Sequence, residues 1–132
     1  MAKRSWLHTK LTGHAPLTAL VGTRIEQVTN QMITPATKPF IKHRLLSDRP
    51  DMMGDDRVQT TQVTYLIFVH DVPGSYDKID SIMVVLKSLL SNAVDQENGI
   101  IRVVWEESSE DFRDDDMGTI MRYCRVILKI RE

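Results

Sequence analysis

The densest potential for chemistry in this sequence lies between Glu106 and Gly118, where seven carboxylates stand with a single arginine. Glu106, Glu107, Glu110, Asp111, Asp114, Asp115 and Asp116 offer oxygen ligands of the kind that calcium and magnesium take. A calcium loop also needs ligands that alternate toward a glycine turn, and the run from Glu106 to Asp116 lacks that alternation. A metal-dependent hydrolase or nuclease needs carboxylates converging with a lysine on neighbouring strands. Glu106 and Glu107 stand at a strand end with no lysine in an adjacent register. The simplest expectation is a solvated loop between two strands. A charged surface facing a partner, or nucleic acid passing nearby, is the main alternative.

The remaining reactive side chains are scattered. His8, His14, His43 and His70 form no His-x-x-x-His or Glu-x-x-His pair. Adjacency of His70 and Asp71 makes no dyad, and no serine is placed as a nucleophile. Cys124 lies on the apolar side of a strand, where a cysteine is usually inert filler. As a lone cysteine it excludes an intrachain disulfide or a multi-cysteine zinc site, and it suits a reducing compartment. The glycines make no phosphate-binding pattern. No catalytic residue, metal ligand or cofactor is assigned, and the chain is expected not to be an enzyme.

Two features suit partners instead. Met52 and Met53 stand in a polar stretch between two strands, where they either fold back on their own sheet or meet another protein. Arg125, Lys129 and Arg131 share the outer side of the last strand and form either a solvated face or a contact with an acidic patch on an identical neighbour.

The elements that must position these residues follow from pattern. Trp6, Leu7 and Leu11 share a helical face that Gly13 ends, and Pro16 opens a second short helix that stops at Gly22. Residues 24–28 suggest a short extended piece, and 29–38 a polar loop. Residues 38–46 read as a strand with Pro39 at its start. Asp48 to Asp56 is rich in turn formers and reads as a loop. Val58 to His70 is a strand with Thr61, Val63, Tyr65, Ile67 and Val69 on one face. Ser75 is placed to cap a helix on which Ile79, Ile82, Met83, Leu86, Leu89, Leu90 and Ala93 keep helical spacing. Residues 100–106 and 120–130 read as two more strands, the last with Ile120, Cys124, Val126, Leu128 and Ile130 on its inner face and Arg122 interrupting them.

These elements predict a single α+β domain over residues 1–132, with a helical entry over 1–22 and the sheet and long helix over 38–132. The expected architecture is a mostly antiparallel four-stranded sheet, with one long amphipathic helix and short N-terminal helices on one face. At 132 residues the chain suffices for one core without disulfide or metal support. Its net charge of −1 gives no general pull toward nucleic acid or an anionic membrane, although the acidic segment sums to −6. No stretch approaches the roughly 18 apolar residues of a membrane span, and MAKRSWLHTK has no apolar run to make it a secretory signal.

Several local phrases resemble the tail terminator proteins of long, flexible, non-contractile phage tails. They are Ala19-Leu20-Val21-Gly22-Thr23-Arg24-Ile25, Pro39-Phe40-Ile41, His70-Asp71 with Tyr76-Asp77-Lys78-Ile79-Asp80, and the acidic stretch from Trp105-Glu106 to Asp114-Asp115-Asp116-Met117-Gly118-Thr119. The resemblance covers most of residues 15–132, and Arg122 and Arg44-Leu45-Leu46 fall outside it. It implies a ring, typically of six subunits, that caps the last ring of tail-tube protein, stops tube growth and presents a surface to the head connector. The implied location is the head–tail junction of a virion, reached from the host cytoplasm, with DNA only passing through the channel and no membrane involved. The acidic residues would then line that channel or contact a neighbouring subunit. Another head–tail completion or adaptor protein is the alternative within the same class, and a metal-dependent hydrolase using the acidic segment the alternative outside it.

Overall fold

The computed structural model describes residues 3–28, 38–52, 59–116 and 118–131. Helix α1, Arg4–Thr12, ends at Gly13, and α2, Ala15–Val21, ends at Gly22, whose φ of 62° suits a residue without a side chain. Strand β1, Ile25–Gln27, lies parallel to the start of β2, Phe40–Met52. β2 pairs antiparallel with β3, Gln59–Asp71, which leads into helix α3, Asp77–Leu90. Strand β4, Ile100–Ser108, and the short β5, Phe112–Asp114, both pair antiparallel with the last strand β6, Thr119–Arg131.

The expected four-stranded antiparallel sheet is therefore corrected to a six-stranded mixed one of order β1-β2-β3-β6-β4, with β5 also on β6. The extra strands come from two stretches too short or too polar to carry a strand pattern, three residues each at 25–27 and 112–114. β1 is held by its neighbour: the Ile41 N–H donates to the Arg24 carbonyl, and Arg24 Nε donates to the Pro39 carbonyl at 2.8 Å. The single long helix is corrected as well. Three short helices are present among the described residues, and the longest, α3, spans 14 residues. Ser91 and Asn92 turn the chain after Leu90, so Ala93 packs against the core from beyond the helix.

All three helices lie on one face of the sheet. Leu7, Leu11, Leu17, Val21 and the α3 residues Ile79, Ile82, Met83, Leu86 and Leu90 form one core with alternate residues of the strands. Thr61, Val63, Tyr65, Ile67 and Val69 of β3 all point into that side and are buried, as their alternation requires. On β6 the same side buries Ile120, Cys124, Val126, Leu128 and Ile130. Ser75 sits one residue ahead of the observed α3 cap, yet its Oγ still accepts the Asp77 N–H at 3.2 Å.

A pair of histidines, His43 buried and His8 half-buried, joins α1 to this core. His8 Nδ1 and His43 Nε2 stand 3.2 Å apart, and His43 is 1% exposed. Burial, followed by the neighbouring His8 and Arg4, pushes the His43 pKa down to about 4, so the imidazole is neutral. His70, on the opposite face of the sheet, is also buried, with its ring stacked on Phe40 and Nδ1 2.8 Å from Thr119 Oγ1. Burial holds it near 4 as well, with Asp114 opposing the shift. Cys124 is fully buried and its thiol is pushed well up by burial, so thiolate chemistry is closed to it.

Candidate functional site

The acidic stretch is the tail of one strand, a break, another strand and a hairpin, where a solvated loop was expected. Glu106 and Glu107 belong to β4 and Asp114 to β5, while Asp115 and Asp116 form the turn into β6. The break at 109–111 keeps β6 satisfied through Ser109. Its N–H donates to the Tyr123 carbonyl at 2.7 Å, and its Oγ accepts the Tyr123 N–H at 2.8 Å while donating to the Glu110 carbonyl. Tyr76, at the start of α3, donates its hydroxyl to the Phe112 carbonyl and so pins β5 to the helix side.

The carboxylates diverge. Glu107 lies 3.3 Å from Arg125 Nη2, and Glu106 3.9 Å from Arg125 Nε. Asp111 faces Arg122, and Asp115 pairs with the exposed Arg113 at 3.0 Å. Among the described residues no group of three His, Cys, Asp or Glu side chains is placed to hold a metal ion. Each of these pairs is partly or largely exposed, so each contributes little to stability on its own. They set the direction in which the side chains point.

Arg122, whose partner was not legible in the sequence, is the hub of this region. It lies on the helix side of β6, opposite Val69, at the end of the sheet where α3 begins. Nη1 donates to Asp80 Oδ1 at 2.9 Å, and Nε donates to the Ser109 carbonyl at 3.0 Å. One guanidinium thus ties the first turn of α3 to the strand break. A planar fork with several donors suits that task, because the two acceptors lie in different directions.

The basic residues of the last strand divide. Arg125 is engaged within the chain by Glu106 and Glu107, so the expected meeting of acidic segment and basic strand happens partly inside one molecule. Lys129 and Arg131 lie farther along the same side of β6, beside Gln62 and Thr60 of β3. Met52 is the last residue of β2, paired in the backbone with Gln59, and Met53 lies outside the described residues.

Sequence reasoning missed an aromatic stripe on the face away from the helices. Phe68 of β3 and Tyr123 of β6 stand side by side in register, with ring centroids 5.8 Å apart. Phe112 stacks on Tyr123 at 5.8 Å, and the Arg44 guanidinium lies 5.6 Å over the Phe68 ring. Met121, Phe68, Phe112 and Tyr123 line a shallow cleft of about 530 Å³ whose rim is Arg113, Asp114, Asp115 and Asp116. The available signal was local: Leu66 and Phe68 of β3, and Met121 and Tyr123 of β6, put apolar side chains on the outer side as well, which a half-solvated antiparallel strand would not need.

No protein-family model matches the chain, and no curated protein matches it. Among solved structures, the fold matches a chain of the structure titled "Virion of native gene transfer agent (GTA) particle", with a TM-score of 0.74. The match covers 96% of this chain and 92% of that one at 13% sequence identity. At that identity the likeness establishes a shared fold. No helix among the described residues is long and apolar enough to cross a membrane.

Proposed function

We propose that the chain is a structural component of a phage-like particle, acting at the head–tail junction. The observation that carries this reading is the fold shared, over nearly the whole of both chains, with a component of a gene transfer agent virion. The finer assignment is a tail terminator. It draws on the phrases around Gly22, Pro39, Tyr76 and Gly118, which resemble that family. In this role the protein forms a ring, six subunits by the family's habit, on the end of the tail tube and meets the head connector on its other side. The acidic turn at Asp115 and Asp116 either faces a neighbouring subunit or lines the channel, where like charge would keep passing DNA from adhering.

Chemistry offers no competing role of equal weight. The carboxylates required for metal-assisted hydrolysis point toward three different arginines, and the cleft beside them is lined by aromatic rings and methionine. A general adaptor in the same junction remains the second reading, and one experiment separates the two. Disrupting the gene should yield tails of uncontrolled length that fail to join heads, as expected when tube growth is not stopped. Tails of normal length that stay unjoined would favour the adaptor, and normal particles would remove the virion role altogether.

A further inference from the structure

The helix side of the sheet holds one polar contact that packing alone does not call for. His8 of α1 and His43 of β2 face each other through Nδ1 and Nε2 at 3.2 Å, with ring centroids 5.4 Å apart. The other nitrogen of His43, Nδ1, is buried and has no hydrogen-bond partner among the described residues. A protonated imidazole carries an N–H on both nitrogens, so a charged His43 would bury a donor without an acceptor. The surrounding charges oppose that proton as well. Arg4 and His8 of α1 both act against a positive His43. β1 sets the uncharged Gln27 opposite it and turns Glu26 to Lys42, while β3 sets Ile67 opposite it. Asp48, farther along β2, acts on Tyr65 of β3. Residues 29–37 contain no titratable side chain.

The two sides of this contact are held unequally. At His43 the strand is paired with β1 and with β3, and the His43 carbonyl accepts the Val28 N–H. Helix α1 has nine residues, no side-chain cap and no acidic residue in its first turn. A helix that short is marginal without tertiary contacts. Its other ties are Leu7 and Leu11 in the core, the Lys3 N–H donated to the Tyr65 hydroxyl at 2.9 Å, and Trp6 Nε1 donated to Asp95 at 2.9 Å. Hydrogen bonds from Trp6 and Asn98 hold the Asp95 carboxyl below its usual range, so that tie keeps its charge in mild acid. Gly13 and His14 alone link α1 to α2.

We propose that the His8–His43 contact is an acid-released latch, which lets α1 lift from the sheet while the rest of the fold stays closed. A proton on His43 is relieved by moving α1, because that one motion takes away Arg4 and His8 and opens Nδ1 to water. Moving β2 would instead break two strand pairings. At neutral pH the open form is a minor one, since lifting α1 uncovers Leu7 and Leu11. The sign follows from the closed form binding the proton less well than the open one. Closure is favoured fully above about pH 6.5 and is weakened as the pH falls toward 4. The latch is a property of this chain by itself and does not depend on the assembly role proposed above.

Native-state hydrogen exchange on the full chain tests it, with each amide referred to its free-peptide rate at the same pH. Between pH 7 and 5 the opening equilibrium read at Leu7 to Thr12 should rise about twentyfold, as one histidine moving between about 4 and 6.5 requires. At both pH values these amides should be less protected than those of α3, which marks a local opening. His43→Gln should reduce the rise to less than threefold. His70→Gln should leave it intact, because that ring lies on the opposite face and stays enclosed when α1 lifts. An α1 that responds to pH equally in His43→Gln, or shows no response in the wild type, would overturn the latch. Loss of the α1 response in His70→Gln, or α1 protection equal to that of α3, would overturn it too, since α1 would then open only with the whole fold. Should His43→Gln not fold, the wild type and His70→Gln still decide the matter by these criteria.

Discussion

The two faces of the sheet are made from alternate residues of the same strands, yet they are finished differently. On the helix side, Ile67 and Val126 disappear under α3, and Leu86 of that helix is fully buried. On the other side, Phe68 and Tyr123 are equally large and stay half exposed, with an arginine and another aromatic ring laid over them. The first face is complete within one chain and belongs to folding. The second is a set of apolar rows that the described residues leave partly exposed. The charges are paired within the chain on both sides: Arg122, on the helix side, holds Asp80 and the Ser109 carbonyl, and Arg125, on the other, lies against Glu106 and Glu107.

Lowering the pH tests both faces at once, and it carries the largest expected effect. His43 on the helix side and His70 on the open side are both held near pKa 4 by burial, below the 6.5 of an unfolded chain. The folded state therefore binds fewer protons. The stability their neutral forms provide is complete above about pH 6.5 and is lost as the pH falls toward 4. Each contributes on the order of 3 kcal/mol over that window. Denaturant melts of His43→Gln and His70→Gln should show a visibly flatter dependence between pH 6.5 and 4 than the wild type, and an unchanged dependence would show that these rings are not held neutral.

Leu86→Ala should cost roughly 2–5 kcal/mol in the same melts, as for a buried leucine that leaves a cavity. Phe68→Ala should cost only about 1 kcal/mol, because its ring is half exposed. Equal losses of stability from these two changes would erase the distinction between the faces. Arg122→Ala should cost about 1–2 kcal/mol by releasing the α3 start from the strand break. Hydrogen exchange should then rise at Ser109 and Tyr123 more than in the α1–α2 region. Asp115→Asn with Asp116→Asn should move stability by less than about 0.5 kcal/mol, as exposed turn residues do.

Much of the helix side was legible in the sequence, because helical and strand periodicities each mark a buried stripe. The α3 stripe and the inner rows of β3 and β6 fall on the residues their spacing named. The two three-residue strands were not legible as part of the sheet, since their pairing depends on the neighbour: Ile25–Gln27 on β2, and Phe112–Asp114 on β6. The acidic stretch read as loop for the same reason, its carboxylates hiding a strand and a strand break closed by Ser109. Arg122 looked like an interruption because its acceptors, Asp80 and the Ser109 carbonyl, lie 42 and 13 residues away. The aromatic stripe was hidden by register, since Phe68 meets Tyr123 only when β3 and β6 pair.

Immunolabelling of particles with an antibody against this chain, read by electron microscopy, tests the central claim most directly. The account predicts label confined to the head–tail junction, on a ring-shaped density coaxial with the tail. Particles that carry no label, or label spread along capsid or tube, would contradict it.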